Sequence, residues 1–299
     1  MSGPTDRAPA RMLLHLIHRT TFVYGGDARD SFNEVRLRPC DDENQACRQF
    51  SLRVSPESAV RDYTDFHGNT VHFFDVPEGH ARLVIEAESE VETVPDASRA
   101  APAPVGFDAL AASPEREMQA EFLADSRYVP LAPEIWREVQ DVLSGGRGDV
   151  WGDAVRLGRH IHSTFKYRPK TTGVTTTATD ALKLRAGVCQ DFAHVMLGMC
   201  RCAGLPARYV SGYFLNVDRL PGEVEASHAW VEVFVPGQGW LGFDPTHNRS
   251  SDERYIKVGV GRDYADISPV SGTYRGAPTL SLDVDVKVSQ LNSLTAVPG

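Results

Sequence analysis

Three residues in this chain have the types and contexts of a thiol catalyst: Cys189, His228 and Asp244. Cys189 stands in Gly187-Val188-Cys189-Gln190-Asp191-Phe192-Ala193-His194. Downstream, Phe192, Val195, Met196, Met199 and Ala203 repeat with the spacing of a buried helix face. Gly204 and Pro206 end that helix, so Cys189 falls in its first turn. Unpaired N–H groups and the helix dipole stabilise a thiolate there, and the same N–H groups can hold a developing oxyanion. The pattern also fits a small cysteine packed beneath a loop.

A thiol nucleophile needs an imidazole to share its proton and a third group to fix the imidazole's tautomer. Of the ten histidines, His228 opens the alternating run His228-Ala229-Trp230-Val231-Glu232-Val233-Phe234-Val235, which reads as a strand. Trp240-Leu241-Gly242-Phe243-Asp244-Pro245 reads as its hairpin partner. A three-residue loop Val235-Pro236-Gly237 would set His228 directly opposite Asp244, on one face of the hairpin. Pro236 fits the middle of that loop poorly. His247, just past Asp244, is a conceivable substitute base. His160 and His162 diverge on an expected helix, and His194 lies around the helix from Cys189. No His, Cys, Asp or Glu spacing resembles a zinc site, so neither a catalytic metal nor a cofactor is expected.

The elements that must position these residues read as α+β. Residues 12 to about 94 are strand-like, in segments Met12–Tyr24, Asn33–Pro39, Gln49–Ser55, Thr70–Val76 and Ala81–Val94, with a turn at Gly25-Gly26-Asp27. In the last segment Glu86, Glu88, Glu90 and Glu92 share one side, as a solvated sheet face does. The expected division is an N-terminal β domain over 1–94, a Pro/Ala-rich linker over 95–114, and a catalytic core with a C-terminal β segment over 115–299. Helices are expected near Pro114–Asp125, Pro133–Ser144 and Gly152–Thr164.

The chain has 299 residues and a net charge of −9, ample for a core and wrong in sign for a nucleic-acid surface. No window reaches the roughly 18 apolar residues of a membrane span. The N-terminal stretch lacks a signal peptide's form, and mean hydropathy is −0.29, so a soluble cytoplasmic protein is expected. Five cysteines cannot all pair. Cys200 and Cys202 point apart on one helix, and Cys40 and Cys47 would pair only in an oxidising compartment.

Four segments in order resemble the transglutaminase-like superfamily, whose core shares a papain-like logic. They are Gly187–His194, Gly204-Leu205-Pro206-Ala207-Arg208-Tyr209-Val210-Ser211-Gly212-Tyr213, Ser227-His228-Ala229-Trp230-Val231-Glu232-Val233, and Gly239-Trp240-Leu241-Gly242-Phe243-Asp244-Pro245-Thr246. Tyr63-Thr64-Asp65-Phe66-His67-Gly68-Asn69 is similar to the β domain preceding this core in bacterial members. The C-terminal segment Gly259–Asp266 is similar as well. The resemblance implies a nucleophile helix packed on an antiparallel sheet, with Cys189 as nucleophile, His228 as general base and acid, and Asp244 as orienter. It implies an oxyanion hole of the Cys189 N–H and an upstream aromatic, for which Tyr167 is the candidate. Gln190 and Asp191 would shape the cysteine turn, or Asp191 simply favours the helix N-terminus. Trp230 would shield the His–Asp pair, or only fill the core. The implied reaction is attack on a peptide, isopeptide or glutamine-type amide of a protein or peptide substrate, as a cysteine protease or amidase. A transglutaminase that joins glutamine to amines, or a non-catalytic scaffold, is the alternative.

Overall fold

The computed structural model describes residues 11–95, 102–216 and 227–291. The chain opens with five strands: β1 (Met12–Val35), β2 (Gln45–Ser55), β3 (Arg61–Thr64), β4 (Thr70–Val76) and β5 (His80–Thr93). The helices are α1 (Phe107–Ala111), α2 (Pro133–Val142), α3 (Val150–Thr164), α4 (Ala178–Leu184) and α5 (Cys189–Cys202). Two short strands are β6 (Lys166–Tyr167), just after α3, and β7 (Ala186–Gly187), just before α5. There follow β8 (Ala207–Phe214), β9 (His228–Val235), β10 (Gly239–Asp244), β11 (Arg249–Ser250) and β12 (Tyr255–Gly261). The last two strands are β13 (Val270–Gly276) and β14 (Thr279–Leu291).

The strands form two antiparallel sheets and a small parallel pair, β6 with β7. The core sheet runs β11-β10-β9-β8-β12. Its apolar face, carrying Ala229, Val231, Val233 and Val235 of β9, packs against Phe192, Val195, Met196 and Met199 of α5. Ile135 and Val139 of α2 and Leu157 and Ile161 of α3 close the same core around the helix. The fold is thus α+β, with the cysteine helix on an antiparallel sheet.

The N-terminal sheet runs β2-β5-β1-β4-β3, with β13 and β14 also on β1. Here the structure departs from the sequence reading. The expected turn at Gly25-Gly26-Asp27 is an irregular stretch inside one long strand, where β1 changes partners. Residues 12–23 pair with β5 and β14, whereas 28–35 pair mainly with β4 and β13. The C-terminal strands, grouped by sequence with the core, complete the N-terminal sheet instead. β5 covers one edge of β1, and an uncovered second edge would leave a row of unpaired N–H and C=O groups. β14 fills it from Leu13↔Leu291 to Tyr24↔Thr279. The helix expected near Pro114–Asp125 is two 3-10 turns, Pro114–Arg116 and Ala120–Leu123. Within the expected 95–114 linker, residues 96–101 lie outside the described residues, and α1 occupies part of the remainder.

Leu14, Leu16, Val91, Val286 and Val288 of this sheet pack against Tyr213, Leu215, Ile256 and Val258 of the core sheet. Burying one such side chain is worth about 1.5–3 kcal/mol. Truncation after Ser268 removes both valines and reopens β1, a loss of at least about 3–6 kcal/mol against a typical total of 5–15. Thermal unfolding and size-exclusion chromatography of this variant are expected to show an aggregating chain rather than a compact one.

Candidate active site

Helix α5 begins at Cys189, and its start is built by local sequence. The Asp191 carboxylate turns back, and its Oδ2 accepts the Val188 N–H (2.7 Å) and the Thr172 hydroxyl (2.6 Å). A Cβ on Gly187 would lie 2.4 Å from that oxygen, so a glycine leaves room for the carboxylate to fold over. Asp191 is buried, which raises its pKa against the lowering effect of these hydrogen bonds. Gln190 Nε2 donates to the Val174 carbonyl (3.0 Å), tying the 171–176 loop beside the helix start.

His228 begins β9, and Asp244 ends β10. The hairpin register differs from the sequence reading. Proline fixes φ for the second position of a turn, and Gly237 takes the following left-handed position with φ 75°. The loop is therefore Pro236-Gly237-Gln238, and Val235 pairs with Gly239. That register carries Asp244 past His228 toward Trp230. A shift of two residues keeps the strand face, so His228 and Asp244 still meet, diagonally. Their Nε2–Oδ2 hydrogen bond is 2.7 Å. With Nε2 engaged by Asp244, Nδ1 is the ring nitrogen that remains, and Cys189 is among the groups that raise the His228 pKa.

Asp244 has no exposed surface, yet it is well provided with donors. Its Oδ1 accepts the backbone N–H groups of Thr246 (2.7 Å) and His247 (3.2 Å). Its Oδ2 accepts His228 Nε2, His247 Nδ1 (2.7 Å) and the Tyr255 hydroxyl (2.9 Å). Burial alone would raise its pKa, but the charge and hydrogen bonds of the histidines carry it well below the ordinary carboxylate range. For His228, burial lowers the pKa, and the Asp244 charge and hydrogen bond, with Cys189, raise it to about 10. Tyr255 keeps its proton, because burial and then the Asp244 charge push its pKa upward.

Trp230 is buried beside His228, with ring centroids 6.1 Å apart and planes tilted by 26°, and it meets Tyr255 edge-on at 5.2 Å. Phe214 lies 4.7 Å from His247 and 6.0 Å from His228, ring to ring. Tyr167 is half-exposed, and its ring meets Phe192 edge-on at 6.2 Å. Desolvation, then the Cys189, Asp191 and Asp244 charges, push its hydroxyl up to about 12, so it remains a donor.

The sequence reading omitted Tyr255 and weighed His247 only as a substitute base. An Asp followed by Pro, with N–H groups two and three residues on, is an Asx-turn signature that foretells the bonds to Asp244 Oδ1. Nothing in the sequence joins Tyr255 to Asp244, because β12 reaches the site from the far edge of the sheet. His194 is wholly buried on the other side of α5, where burial lowers its pKa to about 4 and its Nε2 accepts the Tyr264 N–H. Among the described residues, His228, Asp244 and His247 offer ligand atoms within 4.8 Å of one another. Both imidazoles already hydrogen-bond the carboxylate, so an ion would have to displace those bonds.

Two family profiles match the chain. That of the transglutaminase-like superfamily matches residues 137–245, and that of the bacterial transglutaminase-like N-terminal region matches 14–92. An uncharacterized protein of Mycobacterium leprae (ML0607) is 34% identical over 284 residues, 93% of this chain and 99% of its own length. The chain belongs to the transglutaminase-like superfamily. A protein-glutamine gamma-glutamyltransferase of Pseudomonas aeruginosa is 33% identical over 145 residues, 43% of this chain and 21% of that protein. A protein of Cytophaga hutchinsonii described as a candidate cysteine protease shares the fold, with TM-score 0.72 and 22% identity over 95% of this chain and 92% of that one.

The His228–Asp244 pair has a defined pH signature. A raised histidine pKa stabilises the fold fully below its ordinary 6.5 and loses that contribution as pH rises toward about 10. A lowered aspartate pKa stabilises above its ordinary 3.8 and loses the contribution on acidification. Asp244→Asn should therefore cost most, about 3 kcal/mol, between the two ordinary values. Urea unfolding across pH should show this deficit narrowing as pH approaches 10.

Proposed function

We propose that this chain is a thiol-dependent acyl-transfer enzyme that attacks amides of protein or peptide substrates, hydrolysing them as a cysteine protease or amidase. The observation that carries the reading is a buried His228 whose Nε2 is held 2.7 Å from Asp244 and whose pKa is raised by Asp244 and by Cys189, a cysteine at a helix start.

In this mechanism the Cys189 thiol gives its proton to His228 Nδ1, and the sulfur attacks the amide carbonyl. Asp244 holds the imidazolium through Nε2. The oxyanion receives the Cys189 N–H and the Tyr167 hydroxyl. The C–N bond then breaks as His228 returns the proton to the departing amine, leaving a thioester. Water, activated by His228, hydrolyses the thioester and restores the thiol. A primary amine in place of water gives an isopeptide product, the transferase outcome that the Pseudomonas aeruginosa relative keeps in view. A scaffold has no need of a buried, fully donor-satisfied orienter. All five cysteines are unpaired, which fits a reducing compartment such as the cytoplasm.

The other four thiols make the test selective. Burial pushes Cys40 and Cys200 up to about 12 and raises Cys47 and Cys202. Iodoacetamide at about pH 6 should therefore label Cys189 alone, faster than a small-molecule thiol. An equal rate would remove the activated nucleophile. Cys189→Ala is expected to abolish turnover. A labelled primary amine offered with a glutamine-donor protein separates the outcomes, since incorporation would replace hydrolysis with transfer. Tyr167→Phe is expected to lower kcat about 100-fold with little change in KM, as loss of one oxyanion donor does.

A further inference from the structure

The core sheet ends at β12, and the outer edge of that strand is held by side chains of the N-terminal sheet rather than by another strand. Gln45, the first residue of β2, donates from Nε2 to the Lys257 carbonyl (2.7 Å) and accepts the Lys257 N–H at Oε1 (2.8 Å). Asn69 does the same to Val260, with Nδ2 to its carbonyl (2.8 Å) and Oδ1 from its N–H (2.7 Å). Each amide thus satisfies both backbone groups of one residue, as a neighbouring strand would. The Thr93 hydroxyl donates to the Glu253 carbonyl (2.6 Å). All three side chains are buried.

Their own positions are fixed. Asp65 accepts the Asn69 N–H and Nδ2, which accounts for the Asp65-Phe66-His67-Gly68-Asn69 turn as a mount for Asn69. A Cβ on Gly259 would lie 2.8 Å from Asn69 Oδ1, so that amide reaches the strand across a glycine. Gln45 Nε2 also bonds the Cys40 carbonyl, and Lys257 Nζ pairs with Asp42 (2.9 Å) and with Glu232 on β9 (2.7 Å).

Tyr255 stands between the Thr93 and Gln45 attachments, and its hydroxyl donates to Asp244 Oδ2. We propose that the N-terminal sheet is a positioning element of the active site. Thr93, Gln45 and Asn69 hold β12 so that Tyr255 keeps Asp244, and through it His228, aligned on Cys189. This inference rests on the triad reading and gives the N-terminal sheet a part in the chemistry.

The test reads Cys189 alkylation by iodoacetamide in the full chain, from about pH 5 to about pH 8, with native fold checked by near-UV circular dichroism. Gln45→Ala and Thr93→Val, the latter a same-shape change, should each slow alkylation about three- to tenfold. Thr93→Ser, which keeps the hydroxyl, should restore the rate. Neither loss should multiply with that of Tyr255→Phe, because all act through one hydrogen bond. Unchanged rates in both variants, with a reactive wild-type Cys189, overturn the positioning role alone. So do losses that multiply with Tyr255→Phe. A wild-type Cys189 no faster than glutathione overturns the triad reading and this inference together.

Discussion

A fully buried carboxylate, Asp244, is the constraint around which the core is arranged. An unpaired charge there would cost several kcal/mol, so the fold must bring donors to it from separate elements. β9 supplies His228, the Asx turn after β10 supplies two backbone N–H groups and His247, and β12 supplies Tyr255. The carboxylate stays ionised because these donors outweigh its desolvation. That fixed negative charge is in turn what allows a buried imidazole to hold a proton beside a thiol. Trp230 and Phe214 keep the pair among aromatic rings, where its electrostatic interaction is stronger than in water.

The site's two halves come from different physics. Cys189 is placed by a mostly local device, the Asp191 carboxylate folded over Gly187 onto the Val188 N–H, with Thr172 as its one added donor. His228 and Asp244 are placed by a hairpin whose turn chemistry, Pro236 followed by a left-handed Gly237, sets the register. α5 joins the halves by packing its apolar face on β9.

This division explains what was legible in the sequence. The helix over Cys189–Cys202 and the shared face of His228 and Asp244 follow from period 3.6 and period 2, which are local patterns. The register differs from the sequence reading because Pro236 takes the first loop position, which suits its φ, and not the middle one. Gly25-Gly26-Asp27 suits a turn as well as a strand, and only the partners on both edges of β1 decide for the strand. The return of β14 to β1, the Tyr255–Asp244 bond and the Gln45 and Asn69 amides are contacts between distant residues, up to 278 positions apart for Leu13 and Leu291. No periodicity records such pairings.

The central claim is that Asp244 holds His228 as an imidazolium beside Cys189. Nitrogen NMR of the chain labelled with 15N-histidine measures this directly at about pH 8, where an unperturbed histidine is neutral. The account predicts a His228 signal with both nitrogens protonated, which Asp244→Asn removes. A His228 that is neutral at that pH and titrates near its ordinary 6.5 would contradict it.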